Sequence, residues 1–100
     1  MQRITEKQIE SALARLNTAT NSPAAAYVRD ADGVYTAQVG NWHASGAYGG
    51  VQLQRMHNTS GGVASFGGYG TKRELYERIH AMLDGLRVAS TLSPVNSTPD

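Results

Sequence analysis

The side chains able to carry chemistry are few. They are His43, His57 and His80, the neighbouring Asp30 and Asp32, scattered serines, and two glycine-rich stretches at 45–50 and 67–70. Imidazole ligands for a metal recur at set spacings such as HxH or HExxH, and these histidines show none. Asp30-Ala31-Asp32-Gly33 begins like a calcium loop, but the later ligands and the closing Glu are missing, so it reads as a turn. No GxSxG elbow presents a serine nucleophile. The absence of cysteine excludes disulfides, thiol catalysis and thiolate metal sites. The second glycine stretch stands just ahead of a helix start, where phosphate binds readily. Lys72, however, lies past the cap rather than at P-loop spacing, and neither stretch completes GxGxxG. Tight turns with positive φ are the expected use of both. The expectation is a protein that is not an enzyme and takes no cofactor and no metal.

These residues must be positioned by two helices and a sheet. Thr71 with Glu74 forms a capping-box pattern, and Leu75, Ile79, Met82, Leu83 and Leu86 then recur at helical spacing with Tyr76 at the edge of the stripe. Thr5 with Gln8 repeats the box near the start of the chain. There Ile4 and Ile9 stand as a hydrophobic staple, and Ile9, Ala12, Leu13 and Leu16 line one face. Asn17 and the polar run from Thr18 to Pro23 end that helix.

Residues 25–57 read as an antiparallel meander. Tyr27-Val28-Arg29 leads into an Asp-Gly turn, Val34 to Val39 continues as strand, Trp42 to Ala47 follows, and Tyr48-Gly49-Gly50 turns the chain into the alternating Val51 to His57. Gly40-Asn41 fits either a two-residue hairpin or a bulge in one long bent strand. Val63 to Phe66 reads as a short edge strand and Gly67 to Gly70 as a flexible loop. Past Leu86 the signals stop, and residues 89–100, with two prolines, are expected to be a disordered tail. The fold class is α+β in the order α-β-β-β(-β)-α. It forms one compact domain over 3–88, with both helices on one face of the sheet and the other face open.

The net charge of +1 with 17% charged residues argues against disorder and leaves only weak attraction to polyanions. No stretch approaches the roughly 20 apolar residues that span a membrane, and no signal peptide is apparent. A soluble cytoplasmic protein with no membrane partner is expected.

Two family resemblances add context. The α-β-β-β-α order, with Gly68-Tyr69-Gly70-Thr71-Lys72-Arg73 entering the last helix, resembles the double-stranded RNA-binding domain, in which such a cluster meets major-groove phosphates. The chain departs from it where Glu74, Tyr76 and Glu77 replace the further basic residue, and where the first helix offers only Lys7 and Arg15. A second pattern covers residues 3–87. It consists of Gly40-Asn41-Trp42-His43, Ala47-Tyr48-Gly49-Gly50, Leu53, Arg55, Gly61-Gly62-Val63 and Thr71-Lys72-Arg73-Glu74-Leu75-Tyr76, then Ala81-Met82-Leu83 and Gly85-Leu86. It is similar to a family of small uncharacterised proteins encoded in bacteriophages and prophages. That resemblance implies a bacterial host cytoplasm and no mechanism.

The expected function is a non-enzymatic accessory protein binding a host or phage protein. Trp42, Tyr48, Arg55 and Tyr69 are its candidate contacts, since such residue types in or beside turns favour binding hot spots. The alternative is nucleic-acid binding through Lys72, Arg73 and Arg55. Edge strands of a small sheet also invite pairing, so a homodimer and a monomer are equally compatible with the sequence.

Overall fold

A computed structural model describes residues 3–96, with side chains described to residue 91. The order is α1 (Glu6–Ala19), β1 (Tyr27–Arg29), β2 (Tyr35–Ala37), β3 (Trp42–Ala47), β4 (Gly50–Met56), β5 (Val63–Gly70) and α2 (Lys72–Asn96). The α+β class and the two terminal helices are as expected. The single meander is not: β1 and β2 pair only with each other, while β3, β4 and β5 form a separate antiparallel sheet in that order.

Local chemistry accounts for the elements. Thr5 and Gln8 complete a full capping box at α1, and Thr71 with Glu74 bonds reciprocally at the start of α2. Asp30 Oδ1 accepts the amides of Asp32 and Val34 and closes the β1–β2 hairpin, with Gly33 at φ +83°. Asn58 Oδ1 accepts the amides of Ser60 and Gly62 in the same i+2, i+4 pattern and closes β4 onto β5.

The strongest segments of both helices bury one stripe. Ile9, Ala12 and Leu16 of α1 meet Leu75 and Ile79 of α2, with Ile4, Trp42 and Leu53 completing the core and Val51 and Ala44 packed against it. The helices therefore lie on the sheet face that carries Trp42, Ala44, Val51 and Leu53. The opposite face of β4 carries Gln52, Gln54 and the buried Met56: Gln54 Nε2 donates to Gln52 Oε1, and Gln52 Nε2 donates across to the Gly67 carbonyl.

Gly40-Asn41 is neither of the two devices the sequence left open. It is a turn between the two sheets, in which Asn41 N–H donates to the Gln38 carbonyl and Gly40 takes φ +96°. The hairpin strands are too short to reach β3. Gly67 to Gly70, expected as a flexible loop, belongs to β5. Its pairing with β4 shifts between Leu53 opposite Phe66 and Val51 opposite Gly70, so the glycines form a bulge, with Gly67 at φ +84°. α2 also continues past Leu86 to Asn96, so the expected tail begins as helix. Leu86 and Val88 on this extension are exposed, because the shorter α1 offers them no cover. Residues 97–100 lie outside the described residues.

Hydrogen-bond parity determines what each strand presents at its edge. Met56 exchanges backbone bonds with the Gly40-Asn41 turn, and His57 N–H donates to the Gly62 carbonyl. Alternation along antiparallel ladders then turns the backbone groups of Trp42 and Ala44 away from β4 on one edge, and those of Val63 and Ser65 away on the other. At the first edge the Asn17 side chain acts as a strand would. Its Nδ2 donates to the Trp42 carbonyl at 3.1 Å and its Oδ1 accepts the Trp42 amide at 2.8 Å, both buried. Asn17→Ala strands both Trp42 groups without solvent, and is expected to cost about 2–4 kcal/mol, taking about 1–3 kcal/mol for each unsatisfied group with partial relaxation. Urea unfolding of the two chains measures it, and a loss below about 0.5 kcal/mol would show that the amide does not join helix to sheet.

Candidate interaction site

The four expected contact residues separate into two pairs with different roles. Trp42 is 5% exposed, its ring 4.9 Å from that of Phe66 and 4.8 Å from the Arg55 guanidinium carbon. Arg55 Nε donates to the Gly40 carbonyl, and Nη2 reaches Ser22 Oγ. This pair holds the turn between the sheets against the segment leaving α1, together with Asn41 Nδ2, which donates to the Pro23 carbonyl. Trp42, expected as a surface contact, is instead buried, while Arg55 is half-buried: it stands directly opposite Trp42 in the β3–β4 register and is drawn over its ring.

Tyr48 and Tyr69 form the other pair and face outward. Tyr48 is 94% exposed and meets Tyr69 edge to face at 5.3 Å. The two-residue loop that joins β3 to β4, Tyr48-Gly49, has positive φ at both positions, +55° and +75°. That is the hairpin geometry for which Asn-Gly is favoured, and a tyrosine in the left-handed region costs on the order of 1 kcal/mol. Gly50 is held by packing, since a Cβ there would lie 2.8 Å from the Gly70 carbonyl oxygen. The loop therefore projects a fully exposed aromatic ring at an energetic cost.

The cations of the nucleic-acid alternative do not converge. Lys72 pairs with Glu6 at 3.2 Å, beside the N-terminus of α1. Arg55 sits against Ser22, past the other end of that helix. The 14 residues of α1 set these points about 21 Å apart. Arg73, next to Lys72, is half-buried.

At the start of α2 the Thr71 amide is taken by Glu74 Oε1 at 2.8 Å and the Glu74 amide by Thr71 Oγ1 at 3.1 Å. A small pocket of about 130 Å³ lies there between Tyr69, Gly70, Glu74 and Arg78. A second, of about 200 Å³, lies between Lys7, Ser11 and Arg15 of α1 and Tyr76 and His80 of α2. His80 stacks on Tyr76 with its Nε2 buried and unbonded, and His43 Nδ1 contacts Asn41 Oδ1. Among the described residues no cluster of three or more His, Asp and Glu side chains could hold a metal ion, and no helix is long and apolar enough to cross a membrane.

Two sets of exposed residues were not singled out by the sequence. Tyr27, Val28, Val34 and Tyr35 leave the β1–β2 hairpin with apolar side chains in solvent, and Val63 and Phe66 do the same for β5. The signal was available in the three-residue strands of the hairpin and in the uncharged run of β5, but strand patterning alone does not reveal which face or edge stays uncovered. No family model, curated protein or solved structure matches the chain.

One ionisable group is clearly shifted. The Thr71 backbone amide foremost, then its hydroxyl and the Arg78 charge, hold the Glu74 carboxyl below its ordinary 4.5. A carboxyl lowered in the folded state contributes stability that is full above its unfolded value and is lost as pH falls through the folded one. The melting temperature of the wild-type chain is therefore expected to fall as pH drops below 4.5. Glu74→Gln keeps an acceptor for the cap and should flatten that part of the profile. Parallel acid limbs in the two chains would contradict the assignment.

Proposed function

We propose that the protein is a non-enzymatic binding module that engages a protein partner through the Tyr48–Tyr69 end of its sheet. The observation carrying this reading is Tyr48 itself, which combines near-complete exposure with a left-handed backbone. A residue that costs stability where Asn would not, and that buries nothing in return, is explained by use of the ring elsewhere. Edge-to-face contact with Tyr69 at 5.3 Å places two aromatic rings side by side for a partner to meet. Tyrosines presented this way are typical anchors of protein interfaces. The resemblance to small phage and prophage proteins supports an accessory protein acting on a host or phage component in the bacterial cytoplasm. Separation of Lys72 from Arg55 favours a protein over a nucleic acid as the partner.

Tyr48→Asn separates stability from binding. Unfolding in urea should show a gain of about 0.5–1 kcal/mol, because Asn accepts the left-handed conformation more readily. Affinity capture from a bacterial lysate, with and without nuclease, should retain a protein partner on the wild-type chain after nuclease and lose it with Tyr48→Asn or Tyr69→Ala. Retention by both variants, or loss of everything bound on nuclease treatment, would contradict the reading.

A further inference from the structure

The two edges of the three-stranded sheet are treated differently. On β3 the outward amide and carbonyl of Trp42 are both occupied by Asn17, and α1 lies alongside. That edge cannot accept another strand at Trp42 without losing a buried pair of bonds. On β5 every residue from Val63 to Tyr69 is exposed. Val63 and Ser65 turn their backbone groups outward, and among the described residues neither makes a backbone bond outside the sheet. Natural sheets protect such an edge with Lys, Pro or an inward charge. The Val63–Gly70 strand, VASFGGYG, has no charged residue and no proline. Its one irregularity, the bulge at Gly67, comes after Phe66 and leaves Val63 to Phe66 regular.

We propose that β5 is the contact edge between two copies of this chain, paired antiparallel across a two-fold axis at Ser65, whose outward backbone groups meet those of its own equivalent. The lack of charge in the strand's own residues is what selects a second copy as the occupant, while Arg78 of α2 reaches the strand at the Phe66 carbonyl, past Val63 to Ser65. An antiparallel strand paired with its own image sets the residue on the axis opposite its equivalent and the residues beside it within reach of theirs, so a charge at the centre of the segment would meet a like charge. Val63 and Phe66, 39% and 37% exposed, contribute apolar surface from both copies at once. The three strands of each copy join into a six-stranded sheet, within the common range. Tyr48 and Tyr69 lie beyond the bulge, so the pairing neither uses nor depends on the partner-binding reading above.

Sedimentation equilibrium of the full chain over a wide loading range tests the pairing. The wild-type chain is expected to sediment at twice its 10.7 kDa mass at high loading. Ser65→Lys, which sets two cations together at the axis, is expected to sediment as monomer with an unchanged circular dichroism spectrum. Ser65→Pro removes only an outward N–H, and serves as the second monomeric variant if Ser65→Lys fails to fold. A wild-type monomer at every loading overturns the proposal, as does a dimer equally stable in both variants. A monomer that instead binds an extended foreign peptide along β5 overturns it too. Capture that still depends on Tyr48 in such a monomer would leave the partner-binding reading standing.

Discussion

The side-chain amide of Asn17 on the backbone of Trp42 is the contact on which the arrangement depends. It sits at the last turn of α1 and the first residue of β3, and it is buried. A carboxamide presents a donor and an acceptor at the spacing of a peptide group, so it can complete a strand edge that no strand reaches. Around it the other polar contacts converge. Arg55 stacks on the Trp42 ring and bonds Gly40, and Asn41 bonds Pro23, so the chain leaving α1 and the chain entering the sheet are held at one junction. The apolar core supplies the bulk of the burial free energy, but Leu16, Leu53 and Ile79 are non-directional in what they ask of their neighbours. The junction sets where α1 stops relative to β3.

Blocking one edge has consequences at the other. With β3 closed by α1, β5 is the only edge of the described three-stranded sheet whose length lies open, and the Tyr48 loop at the end of the sheet is free of the helices. The stability that ordinary turn chemistry would supply at Tyr48-Gly49 is forgone, while the turns at Asp30 and Asn58 use side-chain caps in the usual way. The contrast among the three hairpin turns of one small domain locates the unusual one without reference to any other protein.

Much of the fold was legible in the residues. Both capping boxes, the staple of Ile4 with Ile9 and the stripe from Leu75 to Ile79 follow from local spacing, because helix starts are local chemistry. The Asp30–Gly33 turn was legible for the same reason. The division into two sheets was not, since pairing between strands is a long-range outcome and Gly40-Asn41 carries the same letters in a hairpin, a bulge or an intersheet turn. Asn17 looked like a helix terminator. Its bond partner lies 25 residues away, and nothing in its neighbours in sequence announces Trp42. For the same reason Trp42 and Arg55 resembled surface contacts, whereas the exposure of Tyr48 and the open edge at Val63 and Ser65 depend on which edge the helices happen to cover.

Amide hydrogen exchange resolved by residue, measured on the monomeric Ser65→Lys chain, tests the central claim most directly. Trp42 and Val63 both lie on sheet edges with their amides turned away from β4, and edge amides that face water exchange quickly. If Asn17 completes the β3 edge, the Trp42 amide exchanges as slowly as the interior amide of Leu53, while the outward Val63 amide exchanges fast. Equal, rapid exchange at Trp42 and Val63 would mean that both edges are open and that the helix layer is not anchored to the sheet at Trp42.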